Sequence, residues 1–207
     1  AGIVDYATFF KELKTPVVWT FHDKHPLLGG FHLELDVNRK HKLGNFESQL
    51  KAYKRRVLEQ QKNLFVICPS PSLKTWVQQQ HVVPKNKVHQ LYNGIDFEIF
   101  KPLNKACCRE ILGIPSESKV IGFLGNHTEA HHKGRDMFVE VCKAFSAVPS
   151  LTFLSNGENA PNSNVTTLGN IKDQHTLQLF YNACDAVLIC SREENLPNVM
   201  LEAFACG

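Results

Sequence analysis

Across residues 105–207, short apolar runs alternate with segments of helical period, and this alternation constrains the fold of the 207-residue chain more than any other feature. The spacing predicts helices over 105–112, 133–145 and 174–184, and strands over 120–125, 151–154, 165–168 and 186–190. The first half has the same rhythm, with helices over 3–13 and 71–81 and strands over 17–21, 64–68 and 87–92. Strands that are apolar throughout are those buried on both faces, and interleaved helices supply the two covering layers. The expectation is an α/β fold on parallel sheets. At about 150 residues per domain, the length suits one large or two small domains. Asn93-Gly94 predicts a tight turn between the halves.

The final residues, SREENLPNVMLEAFACG, follow the apolar run Ala186-Val187-Leu188-Ile189-Cys190, which reads as a buried strand. Ser191 to Leu196 is polar and turn-like, Pro197 suits the first position of a helix, and Asn198 to Cys206 carries apolar residues at helical spacing. In such a strand-loop-helix unit the backbone N–H groups of Asn198 and Val199 face out of the sheet's carboxyl edge, where the helix dipole favours a phosphate. Glu194 lies in the loop and Glu202 inside the helix, so one can face a reacting group while the other accepts hydrogen bonds from sugar hydroxyls. Phosphate and sugar together point to a nucleotide-sugar. On spacing alone, the pair is equally an exposed glutamate followed by a helical one.

Two further places carry candidate chemistry. Lys133-Gly134 falls at a strand-to-helix turn, where a lysine can neutralise a diphosphate or simply be solvated. His22 follows the strand at 17–21, at the edge where open α/β sheets bind ligands; the plainer reading is a loop histidine bonded to a carbonyl. His127, His131 and His132 lack a fourth ligand for a metal, and Asp96 and Glu98 sit in the predicted turn rather than in a metal motif. From Asn38 to Lys62 the chain is basic. Phe46, Leu50, Tyr53 and Val57 recur there at helical spacing, which predicts a cationic amphipathic helix with Lys51, Lys54 and Arg55 largely on its other sides. Such a face is commonly just solvated, the alternative being anionic lipid or a polyanionic acceptor.

Composition excludes several classes. A net charge of +3 is too small to argue for nucleic acid, and no aromatic-basic recognition motif is present. No apolar run approaches the length of a membrane span. Seven cysteines without a C-x-x-C pair argue against a disulfide framework and for reduced thiols, with Cys68, Cys184 and Cys190 as small core residues.

Residues 191–207 resemble the retaining GT-B glycosyltransferases of family 4, also called group 1 glycosyl transferases. Their mark is a glutamate pair separated by seven residues, matched by Glu194 and Glu202; Leu196, Pro197, Leu201, Ala203, Cys206 and Gly207 match as well. Asn195 stands where the family more often has glycine. PVVWTFHDKHPLLGGFH resembles the family's acceptor-domain stretch, which implies that His22 faces the reaction centre; His25 and Phe31 stand where the closest subgroup has an aromatic residue and a cysteine. YNGIDFEIFKP resembles the crossover between the two halves and puts the domain boundary near Ile95.

The resemblance implies a GT-B architecture of two Rossmann-like parallel-sheet domains, both incomplete. Residues 1–95 would be the second part of the acceptor-side domain and residues 96–207 the first part of the donor-side domain. On that expectation the 207 residues alone cannot turn over substrate, and Val199, Met200 and Phe204 stay partly exposed. The implied activity is hexosyltransferase-type transfer of a sugar from a nucleoside diphosphate sugar to a hydroxyl acceptor, with retention of configuration. The catalytic roles fall to His22, Glu194 and Lys133. The donor would be held by Asn126, Lys133, Gly169, Ile171, Glu194, Pro197, Asn198, Val199 and Glu202, with Glu202 on the ribose and Gly169-Asn170-Ile171 as the base-binding turn. In the family an arginine precedes the lysine; Asn126 occupies that place here, with Arg135 or the histidines as substitutes.

No cofactor and no metal are implied beyond the nucleotide-sugar itself. The implied setting is polysaccharide or glycolipid biosynthesis on a glycan or lipid-linked acceptor, in the cytoplasm and peripheral to an anionic membrane face, without nucleic acid. Two other readings stand beside it. A GT-B sugar-nucleotide epimerase would need a different carboxylate and histidine arrangement. A non-catalytic GT-B remnant serving as a binding or scaffold module is favoured by the missing arginine and opposed by the intact glutamate pair.

Overall fold

Asp5 opens the fold by accepting hydrogen bonds from the Ala7 and Thr8 amides, which caps α1 (Tyr6–Glu12). There follow β1 (Val17–Thr20), α2 (Glu34–Arg39), α3 (Asn45–Glu59), β2 (Leu64–Cys68), α4 (Pro71–Gln79) and β3 (Val88–Gln90). Ser70 accepts from the Leu73 amide at 3.1 Å and Pro71 takes the first helical position of α4, where its missing N–H costs nothing. The second half runs α5 (Lys105–Ile111), β4 (Lys119–Phe123), α6 (Arg135–Ala144), β5 (Leu151–Ser155), β6 (Val165–Thr167), α7 (Gln174–Ala183), β7 (Ala186–Val187) and α8 (Asn198–Cys206). This computed structural model describes residues 5–39, 45–125, 131–157 and 163–207. Ile3, Lys40, Lys42, Asn126 and His127 lie outside the described residues.

The chain divides into two compact units, Ala1–Asn93 with Glu194–Leu196, and Gly94–Glu193 with Pro197–Gly207. The first holds a parallel sheet in the order β1-β2-β3, with Val17 opposite Leu64 and Val66 opposite Val88. Its core gathers Phe21, Leu27, Leu58, Leu64, Val66 and Val77. The second holds a parallel sheet in the order β6-β5-β4-β7. Successive residues of its central strands feed opposite faces, as the pleat requires. Val120 and Leu154 pack with Phe180 and Tyr181 of α7, while Phe123 and Phe153 pack with Phe138 of α6. The Phe123 and Phe138 rings stack at 4.3 Å. Both faces of this sheet are therefore covered, as expected for an α/β fold.

Four local expectations are corrected. Residues 91–96 form no tight turn at Asn93-Gly94; the chain bends at Asp96–Phe100, where the Phe100 N–H donates to the Asp96 carbonyl at 2.8 Å and the Asp96 carboxylate accepts the Glu98 N–H at 2.9 Å. The segment leads from β3 of one sheet to α5 of the second unit, so no pair of hydrogen-bonded strands flanks it to fix a hairpin turn here. The run 186–190 is not a buried strand: β7 is a two-residue edge strand, with Ala186 exposed and Ile189 at 41% exposure. On α3 the buried face carries Glu47, Lys54 and Leu58, while Phe46 is 57% exposed, so Lys54 points inward rather than to solvent. Pro197 is the N-cap of α8 with extended ψ 125°, one place before the helix proper. The short helix α2 had no counterpart in the periodicity. Phe204 is exposed, whereas Val199 packs partly against the core.

Candidate functional site

In the second unit the carboxyl ends of β4 and β7 bring two chain segments side by side. One is the turn 131–134 that leads into α6, and the other is Cys190–Glu193, which leads toward α8. Gly134 makes the meeting possible. Its φ of 71° is left-handed, and a Cβ there would run into the backbone carbonyl of Cys190. The seam continues with the Arg192 N–H donating to the His132 carbonyl at 2.8 Å. The Arg192 guanidinium then forks onto Asp136 in the first turn of α6, Nη1 to Oδ1 at 2.8 Å and Nη2 to Oδ2 at 2.5 Å. That hydrogen bonding from Arg192 holds the Asp136 carboxyl below its ordinary range. Lys133 is half-buried, and its Cβ sits 3.5 Å from the position of a Cβ built on Gly125, which puts it beside the chain that leaves β4. Asn126 lies outside the described residues.

The helix α8 starts at Asn198, and an α-helix leaves its first N–H groups without an acceptor inside the helix. One turn on, Glu202 is half-buried and accepts the Tyr181 O–H on Oε2 at 2.6 Å. Burial first and Glu202 second push the Tyr181 hydroxyl far above its ordinary pKa, so it stays a donor. Gly169 follows β6, has φ 67°, and uses its carbonyl to accept the Gly157 N–H at 2.8 Å; Ile171 packs partly against the core. Thus Lys133, Gly169, Ile171, Pro197, Asn198, Val199 and Glu202 all belong to the second unit.

His22 and Glu194 belong to the first unit. His22 is exposed two residues after β1, and its carbonyl accepts the Asn195 side-chain amide at 3.0 Å. The loop after His22 is tied down by α3. The Glu47 carboxylate accepts the Gly29 and Gly30 N–H groups at 2.7 and 2.6 Å. The Lys54 ammonium donates to the carbonyls of Gly29 and His25 at 2.5 and 2.9 Å and lies 3.2 Å from His25 Nε2. Burial, partly countered by Glu47 and Asp23, brings Lys54 down to about 8. Burial and then Lys54 also lower His25, whose ring stacks on His32 at 4.5 Å. His32 in turn pairs with Asp23 at 2.6 Å. Among the described residues no group of three His, Cys, Asp or Glu side chains could hold a metal ion.

Glu47, Asp136, Tyr181 and Arg192 were not among the expected site residues, and Lys54 was expected only on the outer sides of α3. Only Glu47 and Lys54 left a signal, because residues seven apart share a helix face. The other pairings join residues far apart in sequence.

A glycosyltransferase family 4 model matches residues 1–99 and a glycosyl transferases group 1 model matches residues 118–207. The chain belongs to the GT-B glycosyltransferases of family 4. Among curated relatives it is similar to a D-inositol 3-phosphate glycosyltransferase of Stackebrandtia nassauensis, at 29% identity over 136 residues, 55% of this chain and 30% of the relative. The match therefore spans about a third of that protein's length. Among solved structures it is similar to a sucrose-phosphate synthase from Thermosynechococcus elongatus, with TM-score 0.72 and 18% identity, covering 97% of this chain and 50% of that one. It is also similar to Anabaena HepE, crystallised with UDP and glucose, with TM-score 0.67 and 18% identity over 92% of this chain and 51% of the other. At such identity these likenesses carry the fold, which is GT-B with two parallel sheets.

Proposed function

We propose that the protein is a retaining, hexosyltransferase-type glycosyltransferase that moves a sugar from a nucleoside diphosphate sugar to a hydroxyl acceptor. The observation that carries this reading is the second unit's arrangement of Lys133 at the end of β4 and of Glu202 one turn inside α8, on a parallel sheet of the GT-B fold. Lys133 and the first N–H groups of α8 would stabilise charge on the departing diphosphate. Glu202 would accept the ribose hydroxyls and Gly169-Asn170-Ile171 would meet the base. Glu194 would position the transferred sugar, and His22 would act on the acceptor side. No step in this reading needs a metal or a further cofactor. The presence of UDP in the Anabaena relative's structure supports a nucleotide-sugar donor.

The same reading extends to a cytoplasmic enzyme of polysaccharide or glycolipid synthesis acting on a glycan or lipid-linked acceptor. Among the described residues no helix is long and apolar enough to cross a membrane. Exposed Arg56 and Phe46 on α3 fit peripheral contact with an anionic surface. A second reading, a binding module without turnover, is favoured by one observation: residues 125–132, just before Lys133, contain no arginine, and Arg192 nearby is committed to Asp136.

The test is to screen the full-length protein against a panel of nucleotide-sugars and to follow transfer and anomeric configuration by NMR. Lys133→Ala should cut turnover by about 10- to 100-fold, the scale of one hydrogen bond to a charged group. Equal rates in parent and variant would remove the phosphate assignment. Tight binding without transfer to any acceptor would favour the binding-module reading.

A further inference from the structure

Glu202 is a flexible side chain asked to meet a ligand from the middle of a helix, and what holds it in place comes from α7. Tyr181 is 4% exposed. Its ring packs edge-on against Phe100 at 6.1 Å and Phe180 at 5.5 Å, so the hydroxyl has little freedom. The next residue, Asn182, pins the same turn of α7 by donating to the Lys101 carbonyl at 3.1 Å and accepting the Leu103 N–H at 2.6 Å. From this rigid platform the Tyr181 O–H reaches Glu202 Oε2 at 2.6 Å, the length of a charge-assisted bond.

We propose that Tyr181 is a positioning residue for the donor nucleotide: it locks the Glu202 carboxylate through Oε2 and leaves Oε1 to accept the ribose hydroxyls. The proposal rests on the reading of Glu202 as the ribose-binding carboxylate. A carboxylate has acceptor sites on both oxygens, so a single donor on one side leaves the other oxygen able to take two hydroxyls. A glutamate side chain also loses rotamer freedom when it binds, and a partner that has already ordered it removes that cost from the ligand's affinity. Because burial keeps the phenol protonated, the lock persists across the working pH range.

Titration calorimetry on the full protein separates this role from plain packing, using UDP and its 2′,3′-dideoxy analogue, or the ADP or GDP pair where UDP does not bind. In the parent, the dideoxy analogue should bind more weakly than the natural nucleotide. Tyr181→Phe keeps the ring and removes only the hydroxyl; it should weaken the natural nucleotide by about tenfold, the scale of one hydrogen bond, and leave the dideoxy analogue within about twofold. In a Glu202→Ala background, Tyr181→Phe should change neither affinity. A variant that melts lower yet binds the natural nucleotide as the parent does would overturn the proposal and leave Tyr181 a structural residue. Equal loss for both nucleotides would overturn it too. A parent that binds neither nucleotide, or does not distinguish them, would instead remove the ribose-binding reading of Glu202, and the lock with it.

Discussion

Replacing Gly134 by alanine tests whether the seam between α6 and the Cys190–Arg192 segment is what holds Lys133 in place. The backbone at Gly134 has φ 71°. A side chain in that left-handed region costs about 1–2 kcal/mol. The added Cβ also meets the Cys190 carbonyl, so the segment must move and strain the Arg192 N–H bond to the His132 carbonyl. That bond contributes about 0.5–1.5 kcal/mol. The expected loss is about 2–3 kcal/mol, a large share of a domain stability of roughly 5–15. Gly113 supplies the control, with φ 66° and nothing within 4 Å of an added Cβ, so Gly113→Ala bears the conformational cost alone. Trp19 and Trp76 both lie in the first unit, so urea unfolding of the second is followed by far-UV circular dichroism instead of tryptophan fluorescence. Gly134→Ala should be the more destabilised and should also bind nucleoside diphosphate more weakly. Equal destabilisation of the two variants, with nucleotide affinity unchanged, would refute the reasoning.

Two further outcomes follow from charge and burial. Burial alone would raise the Asp185 carboxyl, but the Val120 amide, Lys105 and Arg109 outweigh it and hold it at about 2 against an ordinary 3.8. With the folded value depressed, its contribution is present above pH 3.8 and lost as pH falls toward about 2. The melting-temperature gap between parent and Asp185→Asn should therefore close across that window, and a constant gap would contradict the assignment. Cys107 is exposed, whereas burial pushes Cys68, Cys142 and Cys206 up to about 11 and Cys184 up to about 12. A thiol reagent at pH 8 should label Cys107 first in the native protein, and Cys107→Ser should remove the fast phase.

The elements whose burial is decided locally were legible in the sequence. β2 and α8 have the bounds that the apolar spacing gave, because each carries its own periodic signal over its whole length. β7 was overread because the apolar run continues to Cys190, whereas its ladder with β4 ends at Val187. Lys54 was turned the wrong way for a different reason. The carbonyl of buried Gly29 and that of half-buried His25 need a donor, and that need belongs to a loop twenty-five or more residues away. Asn93-Gly94 carried a turn signal, but the residues around it join β3 to α5 of the second unit and have no strand pair for a tight turn to close. In the candidate site, Lys133 and Glu202 were singled out from their places after strands. Asp136 with Arg192 and Tyr181 with Glu202 stayed hidden, since each pair forms only once the helices are packed.

The central claim is that the second unit binds a nucleoside diphosphate at Lys133, the start of α8 and Glu202. A crystal structure of the full-length protein soaked with UDP tests it most directly. The account predicts the diphosphate on the first N–H groups of α8 beside Lys133, with a ribose hydroxyl on Glu202 Oε1. UDP bound elsewhere, with Lys133 and Glu202 both out of contact with it, would contradict the account.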